Sequence, residues 1–248
     1  MGFTLNNRYD TMIENCIFCQ TLEGDNLTLN ELWSGAQAVV FDFDGVLADS
    51  EPFYRKSWNS VLEKYGHSVS EEIYWKYWAF LGHGLEGEMQ RTGLVVPDLE
   101  AARVQQRSIY TGYSTNGDIP LFPLAAEVLD AVSRLKKCVI ASNTRSSLVR
   151  SILESRVDRF PAIIGGEGLR SKPFPDIFLK ASEYLSVEPC RCLVFEDAWK
   201  GIKAAEEAGM PAILVRNGYN TGLQAPGAAC EIAGLKELHL FLKDLGNG

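Results

Sequence analysis

The stretch "AVVFDFDGVLADSEP", residues 38 to 52, runs an apolar segment into three carboxylates, Asp42, Asp44 and Asp49. Buried charge is costly unless something opposes it, so acids gathered there point to solvent or to a bound cation. An isolated aspartate pair after a strand more often serves a turn or a helix cap. Here the pair has company. Ser142 and Asn143 end the apolar "CVIAS", Glu196 and Asp197 end "CLVFED", and Lys172 lies in "SKPFPDIF". Hard cations take oxygen ligands and a lysine can oppose phosphate charge, so these residues could hold a divalent cation and a phosphate together if the fold unites them.

The elements needed to unite them are legible. From residue 124 onward, helix-like segments ("LAAEVLDAVSRL", "SSLVRSILESR", "DIFLKASEYL", "WKGIKAAEEAG") alternate with short apolar ones ("CVIAS", "AIIG", "CLVFED", "AILVR"). Such alternation predicts an α/β fold, a doubly wound parallel sheet with helices on both faces. Strands that are almost wholly apolar suit a sheet buried on both sides. "VVFDFD" is one more such strand. In open sheets of this kind ligands bind outside the carboxyl ends of the strands, where Asp42, Asp44, Ser142, Asn143, Glu196 and Asp197 all fall. The ordinary alternatives, a capped helix at Ser142 and Asn143, a solvated Lys172, a charge pair opening a helix at Glu196 and Asp197, account for each position singly. They leave the convergence on one edge unexplained.

Between the first strand and residue 124 the character changes. Tyr54, Trp58, Tyr65, Tyr74, Trp75, Tyr77, Trp78 and Phe80 crowd a segment with no strand pattern, bordered by "SEP" and "NGDIPLFP". We expect an inserted helical module over 51 to 120, a core built from 36 to 50 and 121 to 248, and an N-terminal extension over 1 to 35. "TLNE", Thr28 to Glu31, has the form of a capping box before a short helix. The aromatics read as packing within the module rather than as a platform for stacked bases.

At 248 residues and 46% apolar the chain can bury a substantial core. Its 24 basic and 32 acidic residues give a net charge of -8 without a Lys/Arg block, which argues against nucleic acid as a partner. No run of about 18 apolar residues and no signal pattern occur, so no membrane role and a cytoplasmic location are expected. The six cysteines are scattered. Cys16 and Cys19 form a lone C-x-x-C pair without the two further ligands that tetrahedral zinc requires, and Asn26 opens a sequon that matters only in a secreted chain.

Taken in order, "DFDGVLADSEP", "VIASNT", "SKPFPDIFLKA" and "VFEDAWKGIKAAEEAGM" resemble the signatures of the haloacid dehalogenase superfamily, over about residues 37 to 216. The similarity is to the branch containing beta-phosphoglucomutases and phosphoglycolate-type phosphatases, whose members carry an α-helical cap on the α/β core. The resemblance implies that Asp42 is a nucleophile forming a phosphoaspartate and that Asp44 is the general acid and base. It implies Mg2+ held by Asp42, Asp197 and the main-chain carbonyl of Asp44, with Glu196 a further or indirect ligand. Ser142 and Asn143 would bind phosphoryl oxygens, and Lys172 would oppose their charge and orient Asp42. Asp49 would support the turn into the cap. In the cap, Tyr54 and His83, the latter within the glycine-rich "FLGHGLEGEM", are candidate substrate contacts.

Asp44 argues for phosphoryl transfer over C-halogen cleavage, because dehalogenases of the superfamily lack this second aspartate. Beta-phosphoglucomutases usually place a His ten residues after it and an Arg in the cap turn. This chain has Tyr54 at the first position and no Arg within "GHGLEGE". The expectation is a Mg2+-dependent phosphatase acting on a small phosphorylated metabolite, either a sugar phosphate or a phosphoglycolate-like compound. The alternatives are mutase action and a non-catalytic binding protein on the same fold.

Overall fold

The structure is a computed structural model and describes residues 27 to 246 apart from residue 155. The Cys16/Cys19 pair, Asn26 and most of the N-terminal extension lie outside the described residues. The fold is α/β, a single six-stranded parallel sheet with helices on both faces. The first described helix, α1 (Leu29–Gly35), opens with the expected capping box: Glu31 N donates to Thr28 Oγ1 at 3.3 Å and Thr28 N donates to Glu31 Oε2 at 2.8 Å.

The strands are β1 (Ala38–Phe41), β2 (Lys137–Ser142), β3 (Ala162–Gly165), β4 (Cys192–Glu196), β5 (Ala212–Val215) and β6 (Cys230–Ile232), in the order β3-β2-β1-β4-β5-β6. β1 is therefore central. Its residues alternate faces as the strand period requires: Val39 and Phe41 enter one core layer, Ala38 and Val40 the other. Phe41 stacks on Phe195 of β4, ring centroids 5.1 Å apart, and the register aligns the carboxyl ends of the two strands. The reversal of strand order beside β1 opens a crevice at those ends, where doubly wound sheets bind ligands.

The helices after residue 124 are α5 (Ala125–Leu135), α6 (Ser146–Glu154), α7 (Asp176–Leu185), α8 (Trp199–Glu207) and α9 (Leu235–Gly246). Strand β6 and helix α9 extend the alternation beyond the segments expected from the sequence; the three residues of β6 are too few to show a period, whereas α9 carries buried Leu235, Leu238 and Leu242 at helical spacing. The segment after β1 is helical as expected: α2 (Glu51–Leu62), a turn at Glu71–Ile73 continuing into a π-helical stretch Tyr74–Phe80, α3 (Gly84–Thr92) and α4 (Leu99–Thr115). It has its own core around Trp58, Val61, Leu62, Tyr74 and Trp78. The two passages between module and sheet run side by side: Asp49 N donates to Pro120 O at 2.9 Å, and Ala48 bridges Leu121 in antiparallel fashion. Among the described residues no helix is long and apolar enough to cross a membrane.

Candidate active site

Asp42 follows β1 directly, and its N–H donates to Phe195 O of β4 at 2.9 Å, so the ladder continues through the residue and fixes where its side chain leaves the sheet. Lys172 arrives from the loop between β3 and α7. Its Nζ donates to Asp42 Oδ1 at 2.7 Å and to Glu196 Oε1 at 2.8 Å, with Ala141 O at 3.4 Å and the Phe178 ring 4.7 Å away. All three charged side chains are buried. Burial works against the charged lysine, but the carboxylates of Asp42 and Glu196 outweigh it and hold its pKa above the ordinary value. Burial pushes the Asp42 carboxyl up to about 8 against the pull of Lys172.

Asp44 is held differently. Its Oδ1 accepts from Ser50 Oγ at 2.6 Å, and its Oδ2 accepts from Ser142 Oγ at 2.7 Å and from Thr144 Oγ1 at 2.8 Å. Three hydroxyl groups fix the Asp44 carboxyl group, and a hydrogen bond of this kind contributes about 0.5–1.5 kcal/mol. Ser142 is fully buried, and in this structure its hydroxyl serves Asp44 while the next residues, Asn143 and Thr144, line the cavity. Asn143 Oδ1 also accepts from Lys172 N at 3.2 Å, which ties the loop after β2 to the loop that carries the lysine.

Asp197 completes the acidic group, and carboxylate oxygens of Asp42, Glu196 and Asp197 lie within 4.8 Å of one another. Burial first, then Glu196 and Asp42, raise the Asp197 carboxyl well above its usual range. Three carboxylates so placed resist full ionisation by themselves, and an all-oxygen donor set suits a hard divalent cation. The surrounding backbone is shaped to this group. Gly45 has φ of +80°, and a Cβ there would intrude on the Asp197 carboxylate. A Cβ on Gly201 of α8 would intrude on Glu196, whose Oε2 accepts from Ala198 N at 2.8 Å.

A cavity of about 750 Å³ lies above these groups. Asp42, Asp44, Asn143, Lys172, Asp197 and Lys200 line it from the sheet edge. Tyr54, Trp58, Tyr74, Trp78, Gln106 and Tyr110 line it from the helical module, with Arg103 and Arg107 of α4 and with Arg145 after β2. The module's aromatics thus pack their own core and also wall the cavity. Tyr54 is on that wall, its ring edge to face with Tyr110 at 5.3 Å. His83 is exposed beside Tyr77, at 5.9 Å between ring centroids, whereas its neighbours Gly82, Gly84 and Leu85 line the cavity.

Several residues escaped the sequence reading. Thr144 lies two places after Ser142 in the quoted "VIASNT". Glu51, half-buried and hydrogen-bonded to the Tyr74 hydroxyl, stands two places after Asp49 in the opening stretch. Asn217 and Asn220 follow β5: Asn217 Nδ2 donates to Gly45 O at 2.8 Å and to Asp197 Oδ2 at 3.0 Å, and Asn220 Nδ2 donates to Asp197 O at 2.8 Å. Applying the strand-end rule to "AILVRNGYN" finds both.

A family model described as haloacid dehalogenase-like hydrolase matches residues 36–209. The chain belongs to this family. Among curated relatives, the fructose-1-phosphate phosphatase YqaB of Escherichia coli is 28% identical over 189 residues, covering 72% of this chain and 95% of the relative. A beta-phosphoglucomutase of Mycobacterium bovis is 26% identical over 231 residues, covering 81% and 86%. Among solved structures, CbbY from Rhodobacter sphaeroides in complex with phosphate superposes with a TM-score of 0.70 at 24% identity, covering 82% of this chain and 96% of that one, which supports the fold. Family membership and the relatives named as phosphatases identify the chain as a phosphoester hydrolase. Haloacid dehalogenase-like hydrolases generally use Mg2+, and the Asp42–Glu196–Asp197 group fits such an ion.

Proposed function

We propose that this hydrolase is a Mg2+-dependent phosphatase of a small phosphorylated carbohydrate or similar anionic metabolite, acting through a phosphoaspartate on Asp42. The observation that carries the reading is the buried Lys172 bridging Asp42 and Glu196 beneath a cavity that also holds Asp44. Lys172 occupies Asp42 Oδ1, which leaves Oδ2 to attack phosphorus. Asp44, fixed by Ser50, Ser142 and Thr144, hands a proton to the departing alkoxide and takes one back from the water that hydrolyses the phosphoaspartate. Asn143 and the backbone beside it bind phosphoryl oxygens.

Asp42, Asp197, Glu196 and the Asp44 carbonyl would hold Mg2+, whose charge offsets that of the carboxylates and of the phosphoryl oxygens. Residues 51 to 120 act as the cap that excludes bulk water and selects the leaving group. The cap turn "GHGLEGE" brings no arginine; Arg145 lines the cavity, as do Arg103 and Arg107 of α4, which pair with Glu86 and Glu100 and would have to exchange those partners to meet an anionic metabolite.

The test is phosphate release from a broad phosphomonoester panel with and without MgCl2, with Asp42→Asn as control. Release that needs both Mg2+ and Asp42 is expected. The same absence of release from wild type and Asp42→Asn across the panel would overturn the reading in favour of a binding protein. Conversion of a hexose 1-phosphate into its 6-phosphate in the presence of a bisphosphate activator would overturn it in favour of a mutase, the activity named for one of the relatives.

A further inference from the structure

The loop after β5 joins the helical module to the acidic group. Trp75, in the π-helical stretch, lies face to face on Tyr219, with ring centroids 3.8 Å apart and planes within 10°. Tyr219 Oη donates to Asp49 Oδ2 at 3.3 Å, at the passage between sheet and module. On either side of Tyr219 stand Asn217 and Asn220, the residues that hold Asp197 and Gly45 O.

The loop is cross-linked internally. Asn217 Oδ1 accepts from Tyr219 N at 3.0 Å and from Asn220 N at 3.1 Å, while Asn220 Oδ1 accepts from Asn217 N at 3.0 Å. Arg216 Nη1 donates to Asn220 O at 2.9 Å and to Leu223 O at 2.8 Å, and Asn220 Nδ2 donates to Val215 O at 3.0 Å. The backbone of Tyr219 is thus tied directly to the Asn217 side chain, which in turn is bonded to Asn220 N.

We propose that Tyr219 is a positioning residue through which the seating of the helical module sets the affinity of the acidic group for its cation. With Trp75 stacked on Tyr219, Asn217 and Asn220 hold Asp197 in its cation-binding place. With the stack broken, the loop loses a wall and Asp197 loses part of its support. Partners of this kind, one step removed from the ligands, typically change metal affinity by about 10- to 100-fold when removed. A substitution at Trp75, on another element altogether, should be felt at the cation site.

This inference rests on the cation assignment made under Proposed function, and the experiment separates the two. Titrating MgCl2 into substrate-free protein by calorimetry, we expect Asn217→Ala to bind about tenfold more weakly than wild type. Trp75→Leu and Tyr219→Leu should each bind about fivefold more weakly, and Trp75→Phe, which keeps an aromatic face, should recover most of the loss. Melting temperatures without Mg2+ show which variants remain folded, and Tyr219→Phe, which keeps the ring and loses only the hydroxyl, supplies a conservative change in the loop itself. Wild-type affinity in folded Trp75→Leu and Tyr219→Leu would overturn the coupling and leave the cation assignment standing. A wild-type protein that takes up no Mg2+ would overturn the cation assignment and the coupling with it.

Discussion

At the scale of single residues, the site is built from charges that are tolerable only together. Removing Lys172 leaves Asp42 and Glu196 buried without their counter-charge, and breaking a buried ion pair in this way costs about 3–5 kcal/mol. Lys172→Ala should therefore lower the urea midpoint markedly as well as abolish turnover, and equilibrium unfolding monitored by circular dichroism checks the first part. Asp44→Asn should slow both formation and hydrolysis of the phosphoaspartate, and with an aryl phosphate, whose leaving group needs no proton, the intermediate should accumulate, visible by intact mass as a protein carrying one phosphoryl group. Glu51 gives a pH prediction. Burial raises its carboxyl first, and Lys200 pulls the other way without restoring the ordinary value. The folded chain thus holds the Glu51 proton more tightly than the unfolded chain, so this group's stabilising contribution is present at low pH and lost as pH rises through and above the ordinary glutamate range. Glu51→Gln should flatten the decline of stability with pH, read from urea midpoints across that range.

At the scale of elements, the strand ends explain which parts of the site could be read from sequence. The apolar runs of β1, β2 and β4 are plain in the sequence, and Asp42, Asp44, Ser142, Asn143, Glu196 and Asp197 stand where those runs stop. Asn217 and Asn220 lie past the end of β5, one and four residues beyond Arg216, where the apolar run has already given way to a polar loop. The partner of a side chain was harder to read than its position. Ser142 sits at the strand end where it was expected, yet whether its hydroxyl turns to a ligand or to Asp44 depends on the approach of loops far apart in the chain. His83 illustrates the same limit in the module: helical phase and turn geometry leave it exposed while Gly82 and Gly84 beside it line the cavity. Glycines carry the tightest element-level constraint. Gly201→Ala in α8 is favourable for helix propensity by about 1 kcal/mol, but the added methyl would intrude on Glu196. We expect steric displacement to win, giving a folded protein with weakened Mg2+ binding, measurable by the same calorimetric titration.

At the scale of the whole molecule, sheet and helical module share one cavity, so a ligand bound between them should stabilise both. Mg2+ at about 100 times its Kd would add about 2.7 kcal/mol to unfolding, seen as a rise in melting temperature that EDTA reverses. The passages between the two parts point to something further. Because the chain leaves the sheet at Ala48 and Asp49 and returns at Pro120 and Leu121 across one hydrogen-bonded pair, everything between these points is a single insertion in a closed circuit. Such an insertion can be exchanged as a cassette. A chimaera carrying another protein's module between residues 50 and 120 would keep the acidic group and the lysine of this chain while taking its substrate preference from the donor. Trp75 against Tyr219 is one piece of shared wiring and the packing of α4 on α6, where Ser114 Oγ donates to Leu148 O at 3.1 Å, is another, so a donor module lacking either would need it grafted in.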